Sequence, residues 1–312
     1  MSGEFERIAE IRRRLGVVDG GLLVGNGDDA AVLAPDRAPV VVSVDTVVEG
    51  VHFRRELLSP ADIGYRAMCG ALSDLAAMGA APRAVVMALV APRQLDDATL
   101  YAIADGVAEA QHDMGAPVVG GNLAAGSELS ISTTVIGRGA ERSLTRGGAQ
   151  AGDGLFATGD LGASGLGLRA LLEGKPELAP RAVARWRRPR PRLEQGQALV
   201  GVASSCIDIS DGLLSDLAHL QEATGLGFEV ELAALPLPPE ATVAAALGTD
   251  PQALALSGGE DYELLFTAPL TAQLPIEATR LGRVVTEPGL RLRDADGATV
   301  PPPARAGFDH FD

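Results

Sequence analysis

Short Val-rich stretches alternate with helical stretches along the first half of this chain, and this alternation restricts the possible folds more than any other feature. Residues 38–48 are apolar and β-branched, which is typical of a buried strand. Residues 4–15 carry apolar side chains at helical spacing, and residues 59–79 begin with Ser-Pro-Ala-Asp, a favourable helix start. A further helix is predicted at residues 96–114. Strands that alternate with helices predict a mixed α/β fold.

The sequence also predicts two domains. A Gly- and Arg-rich stretch at residues 138–153 lacks apolar runs, so we expect an N-terminal domain over residues 1–140 and a C-terminal domain over residues 141–312. A chain of 312 residues is long enough for two domains of ordinary size. In the second half, residues 204–209 form a predicted strand that leads into a helix ending at Gly225. One face of that helix is made of Leu213, Leu214, Leu217 and Leu220.

Charge and residue counts argue against several classes of protein. The formal net charge of −15 argues against non-specific binding to nucleic acid, because phosphate contacts need a surplus of Lys and Arg. Lys175 is the only lysine, so the chain lacks the lysine of a P-loop or of a protein-kinase ATP site. Cys69 and Cys206 lie far apart in the sequence, which argues against a disulfide framework or a zinc site.

Neither a signal peptide nor a membrane span is predicted. Residues 1–14 are charged and lack an apolar core, unlike a secretory signal. No stretch of about 20 apolar residues occurs without charges or Gly/Pro breaks. We therefore expect a cytoplasmic protein without a membrane partner.

Several aspartates stand beside predicted strands or inside apolar sequence, where a bare carboxylate is costly to bury. These aspartates are Asp28, Asp29, Asp45, Asp74, Asp208 and Asp211. A single lysine cannot pair with all of them, and most arginines lie elsewhere in the sequence. A hard divalent cation with oxygen ligands is the natural compensation, and Mg²⁺ is the usual one beside phosphates.

Taken singly, each aspartate also has a structural interpretation. Asp28 or Asp29 alone is more often a turn residue than a ligand. Asp211 alone is best interpreted as the N-cap of the following helix. Asp74 alone is equally compatible with capping a neighbouring helix. The set as a whole favours a metal site, because several of its members stand at strand ends or strand–helix turns.

Glycines and isolated polar residues give weaker signals. The sequence Val-Val-Gly-Gly-Asn at residues 118–122 ends a short predicted strand, and glycine loops of this kind can bring N–H groups against phosphates. Arg146 is a candidate phosphate contact, although a solvated surface arginine is the more frequent case. His52 lies close in sequence to Asp45, although an isolated histidine is usually structural.

Two charged segments complete the set of candidates. Residues 181–192 form a basic stretch that is interrupted by prolines. Residues 257–263 form an acidic loop with no evident packing reason to be so polar. No Ser/His/Asp or Cys/His arrangement indicates a nucleophile.

Taken together, the motifs resemble those of the thiamine-monophosphate kinase family, in the PurM-like superfamily of aminoimidazole-ribonucleotide-synthetase relatives. In chain order they are GDDAAVL, SVDTVVEGVHF, LSDLAAMGA, VVGGN, LTRGGA, IDISDGLLSDL, SGGEDYEL and GFDHF. They extend over essentially the whole chain. A single motif such as GDD is shared across the superfamily, whereas the complete ordered set is specific to the family.

This resemblance implies a fold and an activity. The implied fold is a PurM-like α/β architecture of two domains, with the N-terminal sheets pairing across a homodimer. The implied activity is the ATP-dependent, Mg²⁺-requiring conversion of thiamine monophosphate to thiamine diphosphate.

The resemblance also implies roles for individual residues. The implied Mg²⁺ ligands are Asp29, Ser43, Asp45, Asp74, Asn122, Asp208 and Asp211. The implied ATP contacts are Gly121, Asn122, Arg146 and Ser210. The implied contacts to thiamine monophosphate are His52, Glu260 and Phe308, with Phe308 stacking on the ring system. No residue is assigned as a general base.

Two positions depart from the family pattern. Asn122 stands where relatives usually carry Asp, so one implied ligand is a neutral amide oxygen. Val44 stands where relatives often carry Thr, which leaves only its backbone carbonyl as a ligand. The number of Mg²⁺ ions therefore stays open.

The implied reaction is physically consistent with the absence of an assigned base. A phosphate monoester loses its second proton with a pKa near 6, so it is mostly ionised at neutral pH. The obstacle is repulsion, since two unit charges 4 Å apart repel by about 4 kcal/mol at an effective dielectric of 20. Mg²⁺ ions held by the aspartates would offset this repulsion, and direct in-line transfer is expected.

The residues alone leave alternative functions open. Within the superfamily they are aminoimidazole-ribonucleotide synthetase, selenophosphate synthetase and the hydrogenase-maturation carbamoyl-dehydrating enzyme. Relatives of the last end in cysteine, whereas this chain ends in Asp312, and selenophosphate synthetases usually carry a reactive Cys or selenocysteine earlier than Cys69. From a different class, the alternative is a non-catalytic protein that binds thiamine phosphate or a nucleotide.

Overall fold

The computed structural model describes residues 3–16, 21–26, 29–303 and 307, and its elements confirm the mixed α/β fold class. The chain divides into two compact units. Unit 1 comprises the described residues of Met1–Leu75 and Ala80–Glu141, and unit 2 those of Ala76–Gly79 and Arg142–Asp312. In the part of the chain that the structure describes, none of the helices has the length and apolarity that a bilayer crossing needs.

Unit 1 combines a four-stranded sheet with helices. Its elements in chain order are α1 (Glu4–Leu15), β1 (Leu22–Val24), β2 (Val32–Leu33), β3 (Val40–Val48), α2 (Pro60–Ala77), β4 (Ala81–Pro92), α3 (Asp97–Met114), β5 (Val118–Gly126) and β6 (Ser130–Arg138). The strand order is β3-β6-β4-β5. Strand β6 pairs antiparallel with β3 and β4, and β4 pairs parallel with β5. Strands β1 and β2 form a separate antiparallel pair.

Strand β3 separates an exposed apolar face from a more shielded polar one. Successive side chains of a strand point to opposite faces of the sheet. Val40, Val42 and Val44 are 59%, 61% and 62% exposed. The intervening Ser43 and Asp45 are partly buried. The alternation therefore places both predicted metal ligands of β3 on the face opposite to the exposed valines.

Helices α2 and α3 approach each other closely at two glycines. A Cβ atom on Gly64 would lie 2.1 Å from the backbone oxygen of Ile103. A Cβ atom on Gly106 would lie 1.8 Å from the backbone oxygen of Ala61. Both distances are far shorter than any real contact of a side-chain carbon, so this helix pair requires glycine at both positions.

Unit 2 is built on a seven-stranded sheet. Its α-helices and strands are β7 (Gly154–Ala157), α4 (Ala163–Leu172), α5 (Pro180–Arg187), α6 (Leu193–Leu199), β8 (Ser205–Asp208), α7 (Leu213–Thr224), β9 (Gly227–Glu231), α8 (Pro251–Ser257), β10 (Leu264–Ala268), β11 (Thr279–Val285), β12 (Gly289–Arg293) and β13 (Thr299–Val300). Short 3₁₀ helices cover Arg146–Gly148, Pro176–Leu178, Leu232–Ala234 and Pro239–Leu247. The strand order is β13-β12-β9-β11-β7-β10-β8. Strands β9 and β12 pair parallel, and the other neighbouring strands pair antiparallel.

The core of unit 2 lies against helix α7. The predicted leucine face of this helix is confirmed, since Leu213, Leu214, Leu217 and Leu220 are all buried. They pack in one apolar cluster with residues of strands β9, β10 and β11. The helix ends at Gly225, as predicted, and this glycine has the left-handed conformation that closes many helices. The cluster fixes the start of α7 against the end of β8.

One sequence-based expectation needs correction. The short strand predicted over residues 117–121 continues to Gly126, so residues 120–122 lie inside β5 rather than in a loop. A Cβ atom at Gly121 would lie 2.3 Å from the backbone oxygen of Met87, which indicates that glycine serves the close pairing of β4 and β5. The predicted interruption of residues 181–192 by prolines is confirmed, because α5 ends at Arg187 and α6 begins at Leu193, and Pro189 and Pro191 lie between them.

We expect Gly106→Ala to destabilise unit 1. Alanine would gain about 1 kcal/mol in helix propensity, but overpacking against Ala61 should cost about 2 kcal/mol or more. Thermal unfolding should show a lower midpoint for this variant. Gly120→Ala is the matched control, since a Cβ atom there meets nothing within 4 Å. Equal midpoints for both variants would show that the helices separate without cost.

Candidate functional site

Unit 1 brings two predicted metal ligands into direct contact. Ser43 lies in β3 and Asp74 lies in α2. The Ser43 hydroxyl donates a hydrogen bond to Oδ2 of Asp74 at 2.5 Å. Asp74 is partly buried in a helix segment where Leu72, Ser73 and Leu75 are fully buried. The hydrogen bond stabilises the Asp74 carboxylate and holds the side-chain oxygens of two predicted metal ligands next to each other.

The other predicted ligands of unit 1 are more widely spread. Asp45 lies on the same face of β3 as Ser43, and its Oδ1 accepts the backbone N–H of Thr46 at 2.7 Å. Asp29 is exposed. Asn122, like the predicted ATP contact Gly121, lies in β5, which is three strand positions from β3 in the sheet order. Three strand spacings correspond to about 14 Å, so the structure does not group Asn122 with the Ser43–Asp74 pair.

The ring of His52 is fixed by the backbone that precedes it. Nδ1 of His52 accepts the N–H of Val48 at 3.0 Å, and the N–H of His52 donates to the Val48 carbonyl at 2.9 Å. Because Nδ1 accepts a hydrogen bond, the proton of the neutral ring is on Nε2. His52 therefore has a structural role in this turn, and its neutral ring has one defined tautomer.

In unit 2, Asp208 is the last residue of β8, and Ser210 and Asp211 lie in the turn between β8 and α7. One oxygen of Asp216 accepts the backbone N–H groups of Ser210, Asp211 and Gly212 at 3.1, 3.2 and 3.1 Å. The prediction of Asp211 as the helix N-cap is therefore wrong. Gly212 holds the N-cap position with φ of 119°, and Asp216 satisfies the N–H groups from inside the first turn.

Negative charge is concentrated around this turn. Burial, together with the neighbouring carboxylates of Asp208 and Asp211, raises the pKa of Asp216 to about 8, against the lowering effect of the N–H donors. A bound cation would offset this mutual repulsion. Within the described ranges, no three His, Cys, Asp or Glu side chains already form a group that could hold a metal ion.

The acidic loop of residues 257–263 runs alongside the β8–α7 turn. The N–H of Glu260 donates to the Ser210 carbonyl at 2.7 Å. The N–H of Tyr262 donates to the Ile209 carbonyl at 2.9 Å, and the N–H of Ile209 donates to the Glu263 carbonyl at 2.8 Å. These bonds hold a predicted substrate residue, Glu260, next to a predicted ATP residue, Ser210.

The same loop contains two residues in an uncommon backbone conformation. Glu260 and Tyr262 have φ of 68° and 51°, in the left-handed region that non-glycine residues rarely adopt. Each conformation costs about 1–2 kcal/mol. Gly259 precedes them because a Cβ atom there would lie 2.5 Å from the Ser210 carbonyl oxygen. The hydrogen bonds to the turn offset this cost and fix the direction of the Glu260 side chain.

Two arginines of the basic segment hold the end of the acidic loop. Glu263 has no exposed side-chain surface. Arg192 binds it through two hydrogen bonds of 2.7 and 2.6 Å, Arg185 forms a second ion pair, and the Thr158 hydroxyl donates at 2.6 Å. Burial lowers the pKa of Arg192 to about 10, which leaves it charged at neutral pH. Removing one partner of such a buried pair usually costs about 3–5 kcal/mol.

Asp261 supports the start of helix α4. Its carboxylate accepts the N–H groups of Gly162 and Ser164 at 2.6 and 2.9 Å. Burial raises its pKa to about 6. The expectation that the acidic loop has no packing reason for its polarity is therefore wrong, because both Asp261 and Glu263 are buried and hydrogen-bonded.

The remaining predicted contacts have different outcomes. Arg146 is exposed and begins a 3₁₀ helix beside β8, where the Thr145 carbonyl accepts the N–H of Cys206 at 2.9 Å. Phe308 and Asp28 lie outside the described residues. Gly307, which is described, lies against the turn, since a Cβ atom there would be 2.6 Å from the backbone oxygen of Asp211.

Sequence reasoning missed four residues that shape this region of unit 2. They are Asp216, Arg185, Trp186 and Arg192. A signal existed for the arginines, because buried acids at residues 257–263 would need cations and residues 181–192 are the densest basic segment. For Asp216 the signal was an acid in the first turn of a helix, where N–H groups lack partners.

The first part of the chain matches a known family model. Residues 27–139 match the family described as "AIR synthase related protein, N-terminal domain". Over its full length the chain is similar to curated proteins. It is 37% identical over 330 aligned positions to the thiamine-monophosphate kinase of Escherichia coli (strain K12), covering 99% of this chain and 98% of that protein. It is 37% identical to the thiamine-monophosphate kinase of Mycobacterium tuberculosis (strain ATCC 25618 / H37Rv), covering 99% and 92%.

Solved structures show the same similarity. The thiamine-monophosphate kinase structure from Stenotrophomonas maltophilia K279a aligns with a TM-score of 0.84 and 33% identity, covering 96% of this chain and 98% of that one. The structure of AaThiL complexed with AMPPCP and TMP aligns with a TM-score of 0.82 and 33% identity, covering 99% and 97%. A HypE structure with 20% identity and a TM-score of 0.76 shares the fold.

We expect Asp216→Ala and Asp216→Asn to differ sharply in stability. Alanine leaves three N–H groups of a partly buried turn without the acceptor they have in the wild type, which should lower the free energy of unfolding by about 3 kcal/mol. Asparagine keeps an acceptor oxygen and removes a carboxylate that burial disfavours, so its cost should stay within about 1 kcal/mol. Denaturant unfolding at pH 7 measures both. Equal losses would show that the amides have other acceptors.

The stability conferred by Asp261 should fall as pH rises. Its folded pKa of about 6 lies above its ordinary value of 3.8, so the folded protein holds the proton more tightly than the unfolded chain. The contribution is complete below the unfolded pKa and is lost as pH rises through 6. Asp261→Asn does not titrate there. The wild-type advantage in unfolding free energy over this variant should shrink by about 1 kcal/mol between pH 5 and 7.5. A growing advantage would show that the carboxylate is stabilised when charged.

Proposed function

This chain belongs to the thiamine-monophosphate kinase family, and we propose that it transfers the terminal phosphoryl group of ATP to thiamine monophosphate, producing thiamine diphosphate and ADP. The observation that carries this proposal is similarity at the level of 37% identity that extends over 99% of the chain. A relative aligned over nearly its whole length has been solved with AMPPCP, an ATP analogue, and TMP.

The acceptor in this reaction is a phosphate oxygen of thiamine monophosphate. It is mostly ionised at neutral pH, so no side chain needs to remove a proton. A new bond forms between this oxygen and the γ-phosphorus, and the bond from the γ-phosphorus to the bridging oxygen of ADP breaks. We expect direct in-line transfer without a phosphoenzyme. A burst of labelled protein after mixing with γ-labelled ATP would contradict this.

The donor atoms in each unit fit Mg²⁺. Ser43 and Asp74 in unit 1 present adjacent hydroxyl and carboxylate oxygens, which are hard ligands of the kind that Mg²⁺ prefers. In unit 2, Asp208 and Asp211 add to the charge that raises the pKa of Asp216. We propose Asp29, Ser43, Asp45, Asp74, Asn122, Asp208 and Asp211 as ligands. When bound, Mg²⁺ supplies charge that offsets the repulsion between the two phosphate groups.

The remaining residues have proposed roles in binding the two substrates. We propose that Gly121, Asn122, Arg146 and Ser210 contact ATP. We propose that His52, Glu260 and Phe308 contact thiamine monophosphate. The hydrogen bond from the N–H of Glu260 to the Ser210 carbonyl supports a shared location for one residue of each group.

Asp74→Asn should lower turnover of thiamine monophosphate by about 100-fold or more. The substitution keeps the size of the side chain and an acceptor for Ser43, but it removes the charge of a proposed ligand. The assay follows ADP formation that depends on thiamine monophosphate, with saturating Mg²⁺. Asp62→Asn is the matched control, because Asp62 lies in the first turn of the same helix, accepts a hydrogen bond from the Ser59 hydroxyl at 2.7 Å and is not among the proposed ligands. Similar rates for Asp74→Asn and wild type would remove Asp74 from the site.

We also propose that the chain forms a homodimer through the exposed valines of β3. Val40, Val42 and Val44 form an apolar row on a strand at the edge of the sheet of unit 1. Val86 of β4, 37% exposed, belongs to the same sheet. An apolar strand row at a sheet edge is costly to leave in water and is suited to pairing with an identical surface.

Val42→Glu should convert the dimer into a monomer. A buried glutamate on each copy would place two unpaired charges in the interface. Sedimentation should give twice the chain mass of 32.0 kDa for the wild type and the single mass for the variant. Leu270→Glu is the control, since Leu270 is 55% exposed in unit 2 and should leave the dimer intact. A dimer that survives Val42→Glu would place the interface elsewhere.

A further inference from the structure

The basic segment at residues 181–192 has no role in the reaction as described so far, yet it contacts the acidic loop at several points. Helix α5 covers its first part. Trp186, in the last turn of that helix, is 2% exposed, and its indole N–H donates to Oε2 of Glu260 at 3.0 Å. The side chain that is proposed to contact thiamine monophosphate is therefore held by a buried aromatic residue.

The two arginines of the segment fix the frame around this contact. Arg185 and Arg192 both pair with the buried carboxylate of Glu263. Arg185 also donates to the backbone carbonyl of Asp261 at 3.5 Å. The two arginines thus hold the part of the acidic loop that follows Glu260, whereas Trp186 binds the Glu260 side chain itself.

The chemistry of the two kinds of donor is different. A guanidinium brings a full positive charge to the carboxylate that it binds, whereas an indole N–H orients a carboxylate without adding charge. The indole N–H of Trp186 therefore sets the direction of a Glu260 oxygen without bringing a charge of its own.

We propose that Trp186 is a positioning residue for the cationic thiamine ring system, an inference that rests on the proposed function. It sets the direction of the Glu260 carboxylate, and the left-handed backbone at Glu260, with φ of 68°, contributes to the same orientation. Glu260 then attracts the positively charged ring or accepts from its amino group. ATP carries no such cation, so Trp186 affects the binding of one substrate only.

The test is steady-state kinetics of Trp186→Phe, which keeps an aromatic ring and removes the N–H. We expect KM for thiamine monophosphate to rise about 10-fold, with kcat within about twofold and KM for ATP unchanged. In a Glu260→Gln background, Trp186→Phe should raise KM for thiamine monophosphate little further, because its effect depends on Glu260. If Trp186 had only a structural role, the effects of the two substitutions on KM would be additive, and KM would change for both substrates.

Trp186 is the only tryptophan in the chain, which provides a second measurement that does not depend on turnover or on a Trp186 variant. Titration of the wild type with thiamine monophosphate should change the tryptophan emission, and the change should be lost in Glu260→Gln. Phe228→Leu is the control for loss of stability in unit 2, since Phe228 is fully buried in the sheet. It should lower the thermal midpoint and leave KM for thiamine monophosphate unchanged.

The outcomes separate the two proposals. A wild type without turnover that depends on thiamine monophosphate would overturn the proposed function, and this inference with it. An active wild type whose KM is unchanged by Trp186→Phe, or whose emission responds equally in Glu260→Gln, would overturn this inference alone. If Trp186→Phe does not fold, the emission titration decides.

Discussion

The interaction on which the site in unit 2 depends is the burial of the Glu263 carboxylate between Arg185 and Arg192. A carboxylate without solvent contact is tolerated only when cations and hydrogen-bond donors replace water, and this one has both. The pairing joins segments about 70 residues apart in sequence. It keeps the loop that contains Glu260 against the β8–α7 turn, where the left-handed backbone would otherwise relax.

The acids described above divide into two kinds by what they bind. Asp216, Asp261 and Glu263 are buried and bind backbone N–H groups or arginines, so their oxygens organise the polypeptide of unit 2. The second kind comprises the proposed metal ligands, such as Asp74 in unit 1, which accepts a hydrogen bond from Ser43, and Asp211 in unit 2. Within unit 2, Asp216 holds the turn that contains Asp211. A proposed ligand held in place in this way would lose little freedom on binding a cation.

Local sequence patterns predicted much of the fold and part of the site. The helix at Glu4–Leu15, the leucine face of α7 and its end at Gly225 follow from spacing and from a helix-ending glycine, which are local effects. The extension of β5 beyond Gly121 to Gly126 was missed because it depends on pairing with another strand, β4. Asp211 was mistaken for a cap because a pattern does not show which acid reaches the N–H groups. The partners of Glu263 lie far along the chain, and no local rule pairs them.

The three hydrogen bonds that Asp216 accepts have a consequence for how this turn meets a nucleotide. In many phosphate-binding loops, backbone amides at the start of a helix point outward to the anion. Here the amides of Ser210, Asp211 and Gly212 point inward to a carboxylate. Because the carboxyl group of Asp216 already occupies these three amides, they are not available to an anion. A triphosphate bound at Ser210, as proposed above, would therefore be contacted through side-chain hydroxyls or through a metal ion, and not through the start of helix α7.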